Sequence, residues 1–295
     1  MSTSGRLTEV YGKAKRICYT AEDRFVIMSD CHRGVGTTGD NFLKNRHIFL
    51  AALCYYNKRR FTYLELGDGE ELWENKEPEA ILATHREVYE VLEAFHKDGR
   101  LYMLYGNHDM QKKDAGYFNK HCTGFCCEES GRETGFFDGL SIEEGVILKE
   151  CGTGREIFLV HGHQGDLFND RFWRVNRFLV RHFWRRMELF GMENPMSASG
   201  SGKKKTKVEK KLAEWADNNR QVMIAGHTHR VKFPVDGSSY YFNDGSCVRP
   251  YSVTAVEIEK GMLRLVEWSV MTRGDYGMYV GRKIKDEVPL ERIYE

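Results

Sequence analysis

Leu101-Tyr102-Met103-Leu104-Tyr105-Gly106-Asn107-His108-Asp109 is a short apolar run that stops at a glycine and continues into an amide, an imidazole and a carboxylate. The run has the length and composition of a buried β-strand. The polar residues after it carry groups that bind metals or move protons. The same arrangement recurs on both sides. Phe25-Val26-Ile27-Met28 leads into Ser29-Asp30-Cys31-His32, and Tyr63-Leu64-Glu65-Leu66 into Gly67-Asp68. Ile157-Phe158-Leu159-Val160 leads into His161-Gly162-His163, and Val222-Met223-Ile224-Ala225 into Gly226-His227-Thr228-His229. Longer patterns over 42–56 and 79–97 predict helices, and strands alternating with helices indicate an α/β protein. Residues 252–269 alternate across Lys260-Gly261, which predicts an antiparallel hairpin.

In α/β sheets, loops at the carboxyl ends of strands converge on one crevice, so five turns far apart in sequence are expected to meet. Asp, His and Asn side chains make an oxygen and nitrogen donor set, which suits Mn, Fe or Zn better than thiolate-bound metals. Residues two apart share a side of an extended segment, so Asp30 with His32, and His227 with His229, are expected to act in pairs. From the fourth turn His161 is the preferred ligand because it follows the strand directly. His163 is then a substrate contact or a loop residue.

The ordered set Asp30-x-His32, Gly67-Asp68, Gly106-Asn107-His108-Asp109, His161-Gly162 and Gly226-His227-Thr228-His229 resembles the calcineurin-like metallophosphoesterases. The resemblance implies a sandwich of two mixed β-sheets flanked by helices. It implies one divalent ion on Asp30, His32, Asp68 and His229, and a second on Asp68, Asn107, His161 and His227, with Asp68 as the bridge. It also implies that a hydroxide shared by the ions, manganese being favoured, attacks phosphorus. His108 is then not a ligand but stands beside the scissile phosphate, paired with Glu71, three positions after the bridging Asp. Asp-Arg-Gly, usual after that Asp in serine/threonine protein phosphatases, is replaced here by Gly69-Glu70-Glu71-Leu72-Trp73. UDP-diacylglucosamine hydrolases are similar in the acid at position 71, a helical insertion and Arg230, but carry arginine where His108 stands.

The chain has 295 residues, read as one domain over 1–295, with a formal charge of +1 from 44 basic and 43 acidic residues. That balance provides no chain-wide field for nucleic acid. No run reaches the ~18 apolar residues of a membrane helix. The eight cysteines and the lack of an export-type apolar core near the start predict reduced thiols in the cytoplasm. Residues 165–217 differ in character: an aromatic and basic helix, a Ser/Gly-rich link and a lysine run, read as a helical cap. Within it Val175 and Leu179 share one apolar face, Trp173 and Val180 form a second line, and Arg171 and Arg174 lie on a flank. Arg33, His163, Arg171 and Arg174 are the candidate substrate contacts. The expected activity is hydrolysis of a phosphomonoester or phosphodiester of small-molecule or nucleotide type. The alternatives are a nuclease, a sugar-nucleotide or lipid pyrophosphatase, and a non-enzymatic binding scaffold. Peripheral contact with a membrane or nucleic acid has no support beyond the lysine run.

Overall fold

The computed structural model describes residues 2–37, 39–126, 133–166, 170, 173–180 and 202–295. Two mixed sheets form its centre. The first contains β1 (Lys15–Tyr19), β8 (Gly145–Glu150), β9 (Glu156–Val160), β10 (Val222–Ala225) and β11 (Tyr241–Asn243), in the order β1-β8-β9-β10-β11. The second contains β2 (Arg24–Met28), β3 (Thr62–Glu65), β4 (Leu101–Leu104), β7 (Ile142–Glu143), β12 (Ser252–Glu259), β13 (Met262–Thr272) and β14 (Met278–Pro289). Its order is β14-β13-β12-β2-β3-β4-β7. The pairs β2–β3, β3–β4 and β9–β10 are parallel, so the polar turns after β2, β3, β4, β9 and β10 leave the sheets at strand carboxyl ends. A small ribbon, β5 (Gly124–Cys126) with β6 (Glu133–Gly135), stands apart.

Alternation explains the layering. Successive side chains on a strand face opposite ways, and these central strands are buried on both faces. Ile27, Leu64, Leu104, Leu159 and Ile224 meet in the core between the sheets. Val26, Met28, Tyr63 and Met103 face outward onto α2 (Arg46–Lys58) and α4 (Arg86–Lys97) through Phe49, Leu53, Leu92 and Phe95. Phe158, Val160, Met223 and Ala225 face the other way onto α1 (Thr3–Lys13) and a helix spanning Gly202–Asn218. Both faces of the strands must therefore be apolar, which is why they read as continuous runs. No described helix is long and apolar enough to cross a membrane.

Three expectations change. The helix predicted over 79–97 is two, α3 (Pro78–Thr84) and α4, broken at His85, whose buried ring lies 3.0 Å from Asp40 Oδ2. The helix predicted to begin at 42 begins at Arg46, because Asn45 Nδ2 is held by the carbonyls of Cys247 (2.7 Å) and Arg249 (2.6 Å). Between residues 115 and 154, where the sequence pattern predicts no element, the structure holds α5 (Ala115–His121), β8 and the short strands β5, β6 and β7. The predicted hairpin forms in register, with Ser252 opposite Ser269 and Glu259 opposite Met262. The cap falls only partly within the described residues. There α6 (Trp173–Leu179) buries Trp173, with Val180 just beyond it, whereas Val175 and Leu179 are exposed; α7 is the Gly202–Asn218 helix and α8 spans Leu290–Tyr294.

Candidate metal centre

The five turns meet, but not as extended segments. Asp30, His32, Asp68, His227 and His229 all have positive φ, between 47° and 67°. This left-handed conformation is uncommon for residues with a Cβ and costs free energy, so it persists only where the surroundings hold it. The pairing of Asp30 with His32 and of His227 with His229 thus comes from sharp loop turns rather than strand alternation. Cys31, between two of these residues, is buried among the core side chains. Glycine is needed where the loops touch: a Cβ on Gly106 would collide with Asp68, and one on Gly226 with Ser29 and Asp30. Asp109 joins two loops, its Oδ1 accepting from Gly106 N (2.6 Å) and its Oδ2 from Gly69 N (3.0 Å).

Two triads result, Asp30–His32–His229 and Asp68–His161–His227. In the first, His229 Nε2 lies 3.1 Å from Asp30 Oδ1 and 3.3 Å from His32 Nε2. In the second, His161 Nε2 lies 3.2 Å from Asp68 Oδ2 and 3.3 Å from Asn107 Oδ1. Ligands about 2.1 Å from one ion at tetrahedral or octahedral angles are about 3.0–3.4 Å apart, so both sets fit a divalent cation. Asp68 Oδ2 is also 3.6 Å from His32 Nε2, which places one carboxylate between the triads. Asp30 Oδ1 is buried without a hydrogen-bond partner, an arrangement a cation relieves.

Outer hydrogen bonds select the tautomers. His161 Nδ1 donates to the Leu66 carbonyl at 2.7 Å, and His32 Nδ1 donates to Glu71 Oε2 at 2.8 Å. Each leaves Nε2 as the nitrogen with a lone pair to offer. Asp30 Oδ2 accepts from Ser29 Oγ (2.5 Å) and His227 N (2.8 Å), while Ser29 Oγ also reaches Asp244 Oδ1 (2.8 Å). His108 stands beside the triads, its Nδ1 2.7 Å from Glu71 Oε1. Glu71 therefore holds two histidines, one on each carboxylate oxygen.

The charges are strongly coupled. Burial opposes ionisation of Glu71, but His108 and His32 outweigh it and hold its pKa down to about 2. Burial likewise disfavours charged His108, yet Glu71 and then Asp68 raise its pKa. His227 is pushed down to about 3 by burial and by His161, and burial lowers His229 as well. His161 is raised to about 9, Asp68 overcoming burial. In the metal-free protein this folded value lies above the unfolded ~6.5. The stabilisation it brings is complete below pH ~6.5 and lost as pH rises through about 9. An ion must displace that proton. Chelator-treated protein is therefore expected to melt at progressively lower temperature between pH ~6.5 and about 9. A melting temperature that rose over that interval would contradict the Asp68–His161 pairing.

The candidate substrate contacts fare differently. Arg33 is fully buried, with Nη2 2.7 Å from Glu65 Oε1 and 2.8 Å from Glu70 Oε1, so it faces no substrate. His163 is also fully buried, behind His161 and near Asp170 and Glu144, and is not a surface contact either. The position of Arg33 beside a motif reveals nothing of which way the chain turns, and the burial of His163 accords with its other reading, as a loop residue. Arg174 is exposed, its guanidinium 5.5 Å from the Trp173 ring, and Arg171 lies outside the described residues. Sequence reading missed Lys205, whose ammonium interacts electrostatically with Asp30 and His229. It also missed Trp73, stacked on His108 at 4.1 Å.

The calcineurin-like phosphoesterase profile matches residues 23–231, the span that contains every proposed ligand. No curated protein matches the sequence. Among solved structures, Vps29 of Chaetomium thermophilum is 10% identical with a TM-score of 0.41, over 91% of this chain and 98% of that one. Vps29 of Cryptosporidium parvum is 14% identical with a TM-score of 0.38, over 89% and 97%. On the profile match, the chain belongs to the calcineurin-like phosphoesterase family.

Proposed function

We propose that the protein is a two-metal phosphohydrolase acting on a phosphomonoester or phosphodiester of small-molecule or nucleotide type. The observation that supports this most is the position of Asp68 Oδ2, 3.2 Å from a histidine of one triad and 3.6 Å from a histidine of the other. Asp30, His32, Asp68 and His229 would hold one ion, and Asp68, Asn107, His161 and His227 the other. Bound divalent ions, manganese being favoured by the oxygen and nitrogen donors, neutralise phosphate charge and acidify water for attack near neutral pH.

The remaining chemistry belongs to the chain. Glu71 accepts from His108 Nδ1, leaving Nε2 to meet the substrate. With Glu71 holding its Nδ1, His108 as imidazolium would bind a phosphoryl oxygen or protonate the leaving oxygen. Trp173 and Val180 share a buried cluster with Trp73, which supports the cap reading for that part of 165–217, while its later helix packs on the first sheet.

The test uses protein reconstituted with Mn²⁺, its metal content measured, and offered p-nitrophenyl phosphate and bis-p-nitrophenyl phosphate. Turnover of at least one is expected, and which one is faster separates monoesterase from diesterase. Turnover of neither by protein holding two ions would contradict the hydrolase and leave a metal-binding scaffold.

A further inference from the structure

Gly69-Glu70-Glu71-Leu72-Trp73 follows the proposed bridging carboxylate directly, and Glu71 is the residue of this stretch to which the proposed chemistry assigns a part. Trp73 is 1% exposed. Its indole stacks on the His108 imidazole with centroids 4.1 Å apart and planes inclined by 22°. The ring of His32 meets His108 nearly edge-on, at 4.6 Å and 84°. Glu71 Oε1 holds the Nδ1 edge at 2.7 Å. The imidazole is thus fixed by a flat surface, a perpendicular ring and a hydrogen bond. Of its two nitrogens, Nε2 is the one left to meet substrate.

Geometric control of this kind has kinetic consequences. A group that donates a proton late in bond cleavage must be within hydrogen-bond reach of the leaving oxygen, and a displacement of about 1 Å can cost about 10²-fold in rate. The Glu71 hydrogen bond alone leaves the ring free to swing about the Nδ1–Oε1 line. The indole face removes that freedom. A buried apolar cluster formed with Tyr105, Met110, Trp173 and Val180 in turn holds the indole. Trp173 and Val180 come from the segment following His161, so among the described residues this cluster links that segment to the indole that faces His108.

We propose that Trp73 is a positioning residue for His108, fixing the plane in which its Nε2 meets the leaving-group oxygen. The proposal rests on the hydrolase reading for its kinetic consequence, but the stacking can be tested without turnover. Two variants are compared in the full chain with metal content measured. Trp73→Phe keeps an aromatic face and Trp73→Leu removes it. Turnover is followed over aryl phosphates of graded leaving-group pKa. For Trp73→Leu, kcat is expected to fall about 10²-fold for the poorest leaving groups and little for p-nitrophenol, with KM and both ions retained. Trp73→Phe should restore most of the loss. In imidazole NMR spectra, His108 ring protons should carry an upfield ring-current shift in wild type that Trp73→Leu loses. The Nδ1 proton should remain protected in wild type and Trp73→Phe and exchange rapidly in Trp73→Leu.

A rate loss equal across leaving groups, or an unchanged rate, would overturn the positioning role. So would unaltered His108 signals in Trp73→Leu. If wild type with two ions hydrolysed none of the esters, the hydrolase reading would fall instead, and the Nδ1 protection would still decide whether Trp73 holds His108.

Discussion

Asp68→Asn is expected to remove both ions together and abolish hydrolysis. Asp68 Oδ2 sits 3.2 Å from His161 Nε2 and 3.6 Å from His32 Nε2, so the same atom serves both triads. Its Oδ1 is already taken, accepting from His108 N at 2.8 Å. An amide at this position has one oxygen. If that oxygen faces the triads, the site has lost a negative charge; if the amide nitrogen does, N–H groups point where cations should bind. Two divalent ions would then face one remaining carboxylate, Asp30, among neutral ligands. Stabilisation of the reacting phosphate by metal ions is worth several kcal/mol, and each ~1.4 kcal/mol is tenfold in rate. Turnover is therefore expected to fall by about 10³-fold or more. Elemental analysis of the dialysed variant provides the independent check: retention of two ions would refute the bridge whatever the rate.

His108→Ala is expected to do the opposite, keeping both ions and losing chemistry. The residue follows Asn107 and points its Nδ1 at Glu71, and in the proposed function it acts on the substrate rather than as a ligand. A positioned general acid contributes about 10²- to 10⁴-fold, and that loss should be greatest for esters with poor leaving groups, which need the proton. A good leaving group departs without it. A uniform loss across a leaving-group series would argue that His108 acts only on the phosphoryl oxygen. Glu71→Gln separates the two partners of that carboxylate, since it weakens the holds on His108 and His32 together.

Most of the centre was legible because buried parallel strands are apolar on both faces, so each polar turn stood out against its strand. That contrast marked the turns, and in the fourth it favoured His161, which follows its strand directly; the ligand roles of Asn107 and His227 are what the family resemblance implies. Other features depend on three-dimensional neighbours. Nothing local marks Asp30 or His32 as left-handed; the loops from β3 and β10 impose that conformation, the Asp30 N–H bonding to the Gly67 carbonyl at 3.1 Å. Arg33 reads as a surface cation beside a ligand, yet the fold surrounds it with Glu65 and Glu70 from β3 and its loop. A buried charge is stable only when paired in this way. Lys205 belongs to a lysine run whose Lys210 is exposed and pairs with Glu214 within its own helix. The electrostatic influence of Lys205 on Asp30 depends on the packing of that helix onto β9 and β10, which the run itself does not reveal.

The most direct measurement is anomalous diffraction from crystals grown with Mn²⁺, at the manganese edge. Two peaks about 3.5–4 Å apart are expected, one among Asp30, His32 and His229 and the other among Asn107, His161 and His227, with the Asp68 carboxylate between them. A single peak, or none within bonding distance of Asp68, in protein shown to hydrolyse phosphate esters would contradict the two-metal proposal.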